Sequence, residues 1–146
     1  MSASTRKSSA RKTLVILIAA FAPLVGAGAT VESLNGQWNG NSQVDGDKSI
    51  AKTLLSLGAP DSENSTLRIE GRNTCTLRQG SYKSDSSGIW TLSFKDTMGG
   101  DACTRLAKGT FTLHPGTTPR QLDFEVKYPG SDGQEVLRRG ALTRYP

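Results

Sequence analysis

The chain has 146 residues, with 18 Lys and Arg against 13 Asp and Glu, a formal charge of +5 and a single histidine. Four of those basic side chains fall in the first 29 residues, so the remaining 117 carry fourteen basic against thirteen acidic groups, a net charge of +1. That leaves length for one domain, and no basic stripe of the kind that nucleic-acid binding needs.

Residues 1–29 form an export leader: Arg6, Lys7, Arg11 and Lys12 precede the apolar run 14–25, and Ala27-Gly28-Ala29 supplies the small residues of a cleavage site after Ala29. Retained, the same stretch would be a membrane anchor, at the short end of the roughly 17 to 25 residues that span a bilayer and interrupted by Pro23. The mature domain, 30–146, is therefore expected to be soluble in the periplasm or outside the cell, meeting a membrane only through an uncleaved leader. Cleavage would free a polar terminus, Thr30, Val31, Glu32 and Ser33, able to enter a partner's cleft as an extended peptide.

A first strand is expected at Gly36–Val44. In 47–58, Ile50, Leu54 and Leu57 take helical spacing and Gly58 with Pro60 provides a stop, which predicts a short helix near 48–57; a strand over 52–57 fits the same residues. Residues 58–64 form a polar loop. It leads into Asn64-Ser65-Thr66, an N-glycan acceptor if the source is a eukaryote.

Beyond this loop the period is two. Leu67 and Ile69, Cys75 and Leu77, then Trp90, Leu92 and Phe94, then Phe111 and Leu113, alternate with polar residues. The clearest run sets Leu122, Phe124, Val126 and Tyr128 against Gln121, Asp123, Glu125 and Lys127. Short connectors rich in Gly, Pro, Asp and Ser, at 84–88, 98–101, 115–119 and 129–133, read as hairpin turns. With a last strand at 136–145, seven or eight half-buried strands are expected to curl into an antiparallel, up-and-down barrel. Cys75 and Cys103, an even pair in an oxidising compartment, are expected to form a disulfide.

Material for catalysis is thin. His114 stands between Leu113 and Pro115 at a strand end, and reads as a surface turn residue rather than a general base. Asp123 and Glu125 share a strand face with Gln121 and Lys127, the composition of a solvated surface. No nucleophile elbow, phosphate-cradling glycine loop or metal-spaced histidine pair occurs, so no enzyme activity, metal or cofactor is implied.

The segment Leu34-Asn35-Gly36-Gln37-Trp38 resembles the opening of the calycin superfamily, which includes lipocalins, avidins and related bacterial metalloprotease inhibitors. That resemblance implies a barrel whose first-strand tryptophan, here Trp38 after Gly36, closes one end beneath an arginine from the last strand. Arg144 is the candidate for that arginine, with Arg139 behind it, and such a stack contributes about 0.5 to 2 kcal/mol. Two tryptophans, Trp38 and Trp90, are too few for an avidin-like biotin box, and the cysteine spacing does not match the protease inhibitors.

Three roles follow. The first is a lipocalin-like binding protein that holds one small apolar ligand against Trp90, Leu92, Phe94, Phe111, Phe124, Val126 and Tyr128, or presents loops to a partner; the same side chains could instead fill the barrel. The second is an inhibitor of a secreted or periplasmic hydrolase acting through residues 30–33. The third is a structural envelope component that pairs through an exposed edge at Gly36–Val44, where Gly40, Asn41 and Ser42 are poor strand formers.

Overall fold

The computed structural model describes residues 34–146. Within them eight strands form a closed, antiparallel, up-and-down barrel: β1 (Gly36–Val44), β2 (Ile50–Leu57), β3 (Ser65–Glu70), β4 (Thr74–Ser84), β5 (Trp90–Met98), β6 (Phe111–Pro115), β7 (Gln121–Pro129) and β8 (Glu135–Arg144). One helix, α1 (Asp101–Ala107), interrupts the meander between β5 and β6. The expected leader, its expected cleavage site and Thr30, Val31, Glu32 and Ser33 lie outside the described residues.

Alternation dictates the inner wall. Leu122, Phe124 and Val126 on β7, Trp90, Leu92 and Phe94 on β5, and Leu67 and Ile69 on β3 are buried, while their neighbours of opposite parity face water or its margin. Two glycines let large rings cross the interior. Gly80 pairs with Phe94 and Gly140 with Phe124, and in each case the ring lies where a Cβ would otherwise project. Edge-on and tilted aromatic contacts, Phe94 to Phe111 at 5.4 Å and Phe111 to Phe124 at 5.6 Å between centroids, fill the middle of the barrel.

Two sequence expectations need correction. Residues 48–57 do not form a helix: β2 runs from Ile50 to Leu57 and pairs with both β1 and β3. Its inward set is Ala51, Thr53, Leu55 and Leu57, all buried, whereas Ile50 is exposed and Leu54 is only partly buried, so the helical spacing counted two outward-facing side chains as one apolar face. Nor does Gly36–Val44 present a free edge. β1 is hydrogen-bonded to β2 on one side and to β8 on the other, which closes the barrel and removes the surface on which edge pairing would depend.

The helix occupies a gap in the wall. β6 is short and pairs with β5 only over Trp90–Leu92, so the outer half of β5 lacks a strand neighbour on that side. α1 packs against β4, β5 and β7 there, inserting Cys103 and Leu106 into the core. Cys75 on β4 and Cys103 on α1 are joined as a disulfide, with Cα atoms 5.4 Å apart. Gly99 enters the helix with φ of 138°, and a Cβ there would press on the Thr74 carbonyl at 2.6 Å, so this tight approach is reserved for glycine.

Candidate functional site

The up-and-down order puts the N-terminus of β1 and the C-terminus of β8 at one end of the barrel, and α1 at the other. The first end is sealed. Trp38 is 1% exposed and donates its Nε1–H to the Leu34 carbonyl at 3.1 Å. Arg144 stands opposite Trp38 in the β1–β8 ladder, its guanidinium carbon 4.6 Å from the ring centroid, and donates through NH1 to the Asn35 carbonyl at 2.8 Å. Gly36, at φ of 130°, leaves room for that guanidinium: a Cβ would lie 3.3 Å from its NH1.

Tyr82 completes the seal, and sequence reasoning missed it. Its hydroxyl donates to the Gly58 carbonyl at 2.8 Å and contacts the Asn35 side chain, and its ring lies 5.7 Å from that of Trp90. Burial pushes the Tyr82 phenol above its ordinary value of 10.0, with the Arg144 charge acting in the opposite sense. Tyr82 is out of step with Cys75 and Leu77, and only the irregularity at Gln79, with φ of 52°, turns Gly80 and Tyr82 inward, so the alternation carries no signal for it. Arg139, the other arginine weighed for this seal, instead faces outward on β8.

The opposite end is open. An open cleft of about 940 Å³ lies at the mouth, between the ends of β1 and β2, the β3–β4 hairpin, α1 and the β7–β8 hairpin. Its apolar wall includes Ala51, Ile69, Leu106, Tyr128 and Val136, and its polar wall includes Asp47, Glu70, Arg72, Arg105 and Arg138. The volume falls within the range of small-molecule sites, about 300 to 1,000 Å³. Of the seven side chains expected to touch a ligand, only Tyr128 lines this cavity. Trp90, Leu92, Phe94, Phe111, Phe124 and Val126 are buried as expected, but they pack the barrel below the mouth.

A polar ladder descends from the mouth into this largely apolar interior. Arg138 donates through NH1 to Ser42 Oγ at 2.9 Å, and Ser42 lies 2.8 Å from Thr53 Oγ1, which reaches the Ala51 carbonyl at 3.1 Å. Ser42 and Thr53 are 2% and 0% exposed. Ser42 and Thr53 thus link the Arg138 guanidinium to the β2 backbone through two buried hydroxyls. Nearby, Asp47 accepts the Ser49 N–H at 2.9 Å; the Ser49 hydrogen bonds, assisted by the charges of Arg72 and Arg138, hold its carboxyl below the ordinary value.

His114, Asp123 and Glu125 come together on the outer face. His114 Nε2 lies 3.8 Å from Glu125 Oε1, Glu125 Oε2 lies 3.9 Å from Arg139 Nε, and Arg139 NH1 lies 3.8 Å from Asp45 Oδ1. These groups are about half-exposed, the setting in which ion pairs contribute little and solvent competes for each partner. Among the described residues, no three His, Cys, Asp or Glu side chains converge as metal ligands, and no helix is long and apolar enough to cross a membrane. No protein-family model and no curated protein matches the chain.

Proposed function

We propose that the protein is an exported, non-catalytic binding protein of calycin type, whose barrel mouth holds one small ligand with an apolar body. The carrying observation is the polarity of the barrel: Trp38, Arg144 and Tyr82 seal one end, while the other opens on a cavity of about 940 Å³ walled by Ala51, Ile69, Leu106 and Val136. A closed barrel of eight strands is just wide enough to hold one small ligand. The disulfide between Cys75 and Cys103 supports residence in an oxidising compartment, and it fixes α1 as one wall of the cavity.

Calycin membership rests on the Gly36-Gln37-Trp38 opening, the Arg144 stack and the eight-stranded meander taken together. The ligand site it implies lies higher in the barrel than the sequence suggested, because aromatic rings crossing Gly80 and Gly140 occupy the centre.

Titration with the neutral dye Nile red, together with native mass spectrometry of protein purified from its own cellular fraction, tests the proposal. Binding of the dye with one-to-one stoichiometry, weakened by Ala51→Phe, which fills the mouth, is the expected result. A protein that binds no dye and carries no small molecule would overturn it.

A further inference from the structure

We infer that the mouth is an interaction surface whose occupant is a second copy of this chain, the two barrels meeting mouth to mouth about a two-fold axis. The inference goes beyond the ligand proposed above and does not depend on it.

It starts from where the charges of the rim fall. Four connections surround the mouth, and closure of the barrel sets the β7–β8 turn beside the β1–β2 turn, while the disulfide ties the foot of the β3–β4 turn to α1. The first pair carries Asp45, Asp47, Asp132 and Glu135 against Lys48. The second carries Arg72, Arg105 and Lys108 against Asp101, because Glu70 is already engaged, 3.1 Å from Arg68 and 3.9 Å from Lys52. One half of the rim is therefore acidic and the other basic.

These charges are only partly used within the chain. Arg72, Arg105 and Lys108 enter no salt bridge among the described residues, although Arg72 stands at the seam between the halves, where its charge reaches Asp47. Asp45 lies 3.8 Å from Arg139 and Glu135 lies 4.0 Å from Lys127, and the two carboxylates are 66% and 68% exposed. Pairs so open to solvent hold their partners loosely and leave both carboxylates available to a new one.

A rim split in this way is complementary to itself. A two-fold axis in the plane of the mouth, running along the seam, places the acidic half of each copy over the basic half of the other. The same operation matches the apolar side chains left at the rim. Ile50, 67% exposed, opens β2 in the acidic half, and Met98, 54% exposed, closes β5 in the basic half. Each Ile50 is thereby brought to the side of the second copy's Met98, an apolar contact within a ring of opposite charges.

Sedimentation of the intact protein over a concentration series tests the inference. A dimer is expected at an ionic strength of about 0.01 M, where the Debye length is about 30 Å, and its dissociation constant should rise at least about tenfold near 1 M, where that length is about 3 Å. Arg72→Glu with Lys108→Glu turns the basic half acidic, and Asp45→Lys with Glu135→Lys turns the acidic half basic; each variant alone should stay monomeric. An equimolar mixture of the two should form a heterodimer, and that recovery excludes misfolding as the cause of the loss. A parent that is monomeric at every concentration would overturn the inference and leave the mouth to a small ligand or a different partner. A dimer indifferent to salt, or one that survives both reversals, would place the contact on another face and overturn it as well. Failure of the mixture to recover would show that the two halves do not meet.

Discussion

Arg144 and Trp38 occupy facing positions of the β1–β8 ladder, and the arginine closes the barrel by stacking on the indole while donating to the Asn35 carbonyl at 2.8 Å. One side chain thus joins the first strand, the last strand and the segment that precedes them. Losing the stack costs about 0.5 to 2 kcal/mol, and losing a charged hydrogen bond costs about 1.5 to 3 kcal/mol. Partial exposure of Arg144 places the combined effect of Arg144→Ala near the lower end, about 2 kcal/mol. Arg144→Lys should recover little, because an ammonium cannot lie flat on the ring and hold the carbonyl together. Urea unfolding with an unchanged slope checks this; identical midpoints for the parent and Arg144→Ala would refute it.

The glycine positions give a graded series. A Cβ on Gly140 or Gly80 would strike the ring of Phe124 or Phe94, and relief requires a buried aromatic to leave its rotamer. Gly140→Ala and Gly80→Ala are therefore expected to cost about 1 to 3 kcal/mol. Gly40→Ala should be worse: its Cβ would overlap the Ala141 carbonyl, and moving that group breaks the β1–β8 ladder. Gly46→Ala and Gly88→Ala meet open space and bear only the left-handed strain of φ near 82°, about 1 kcal/mol. Thermal melts of the five variants should show the largest loss at Gly40, an intermediate loss at Gly140 and Gly80 and the smallest at Gly46 and Gly88, and a milder effect at Gly40 than at Gly46 would contradict the packing described.

Legibility followed how directly each strand reports its two faces. β7 reads without ambiguity because Leu122, Phe124 and Val126 face inward between charged neighbours, and β1 begins and ends where its sequence suggests. β2 misleads because its inward positions include Ala51 and Thr53, small or polar, while exposed Ile50 supplies the strongest apolar signal at its start. α1 is concealed by its brevity and by Gly99-Gly100, which resemble a plain turn. Trp38, Arg144, Cys75 and Cys103 were visible as candidates, since each carries distinctive chemistry. The mouth was not: Arg72, Arg105 and Arg138 belong to a hairpin, a helix and a strand, and only closure of the barrel brings them to one cavity.

Tyr82 confers a specific dependence on alkaline pH. Burial raises its phenol above 10.0, so the folded protein keeps the proton where the unfolded chain releases it. The contribution is fully present below about pH 10, the unfolded value, and is lost as pH rises through the higher folded value. Parent protein should therefore lose stability above pH 10 more steeply than Tyr82→Phe, although the variant starts lower at neutral pH for want of the Gly58 hydrogen bond. Urea midpoints measured from pH 8 to 11 provide the check. Parallel curves would show that the phenol is not the group responsible.

The disulfide is expected to matter more to the mouth than to the barrel. Its 28-residue separation corresponds to about 3.5 kcal/mol of unfolded-state restriction, so Cys75→Ser with Cys103→Ser should lower global stability by up to that amount. The strand ladders do not pass through the bridge, and the barrel should remain closed. α1 differs: it has seven residues, no side-chain cap and little intrinsic stability at that length, so it relies on Leu106, Cys103 and the tether to β4. Hydrogen exchange in the double variant should accelerate across Asp101–Ala107 well before it does in β7 or β8. Because α1 forms one wall of the mouth, Nile red affinity should fall with the loss of protection while the Trp38–Arg144 end keeps its stability. Uniform acceleration throughout the chain would mean instead that the bridge supports the barrel as a whole.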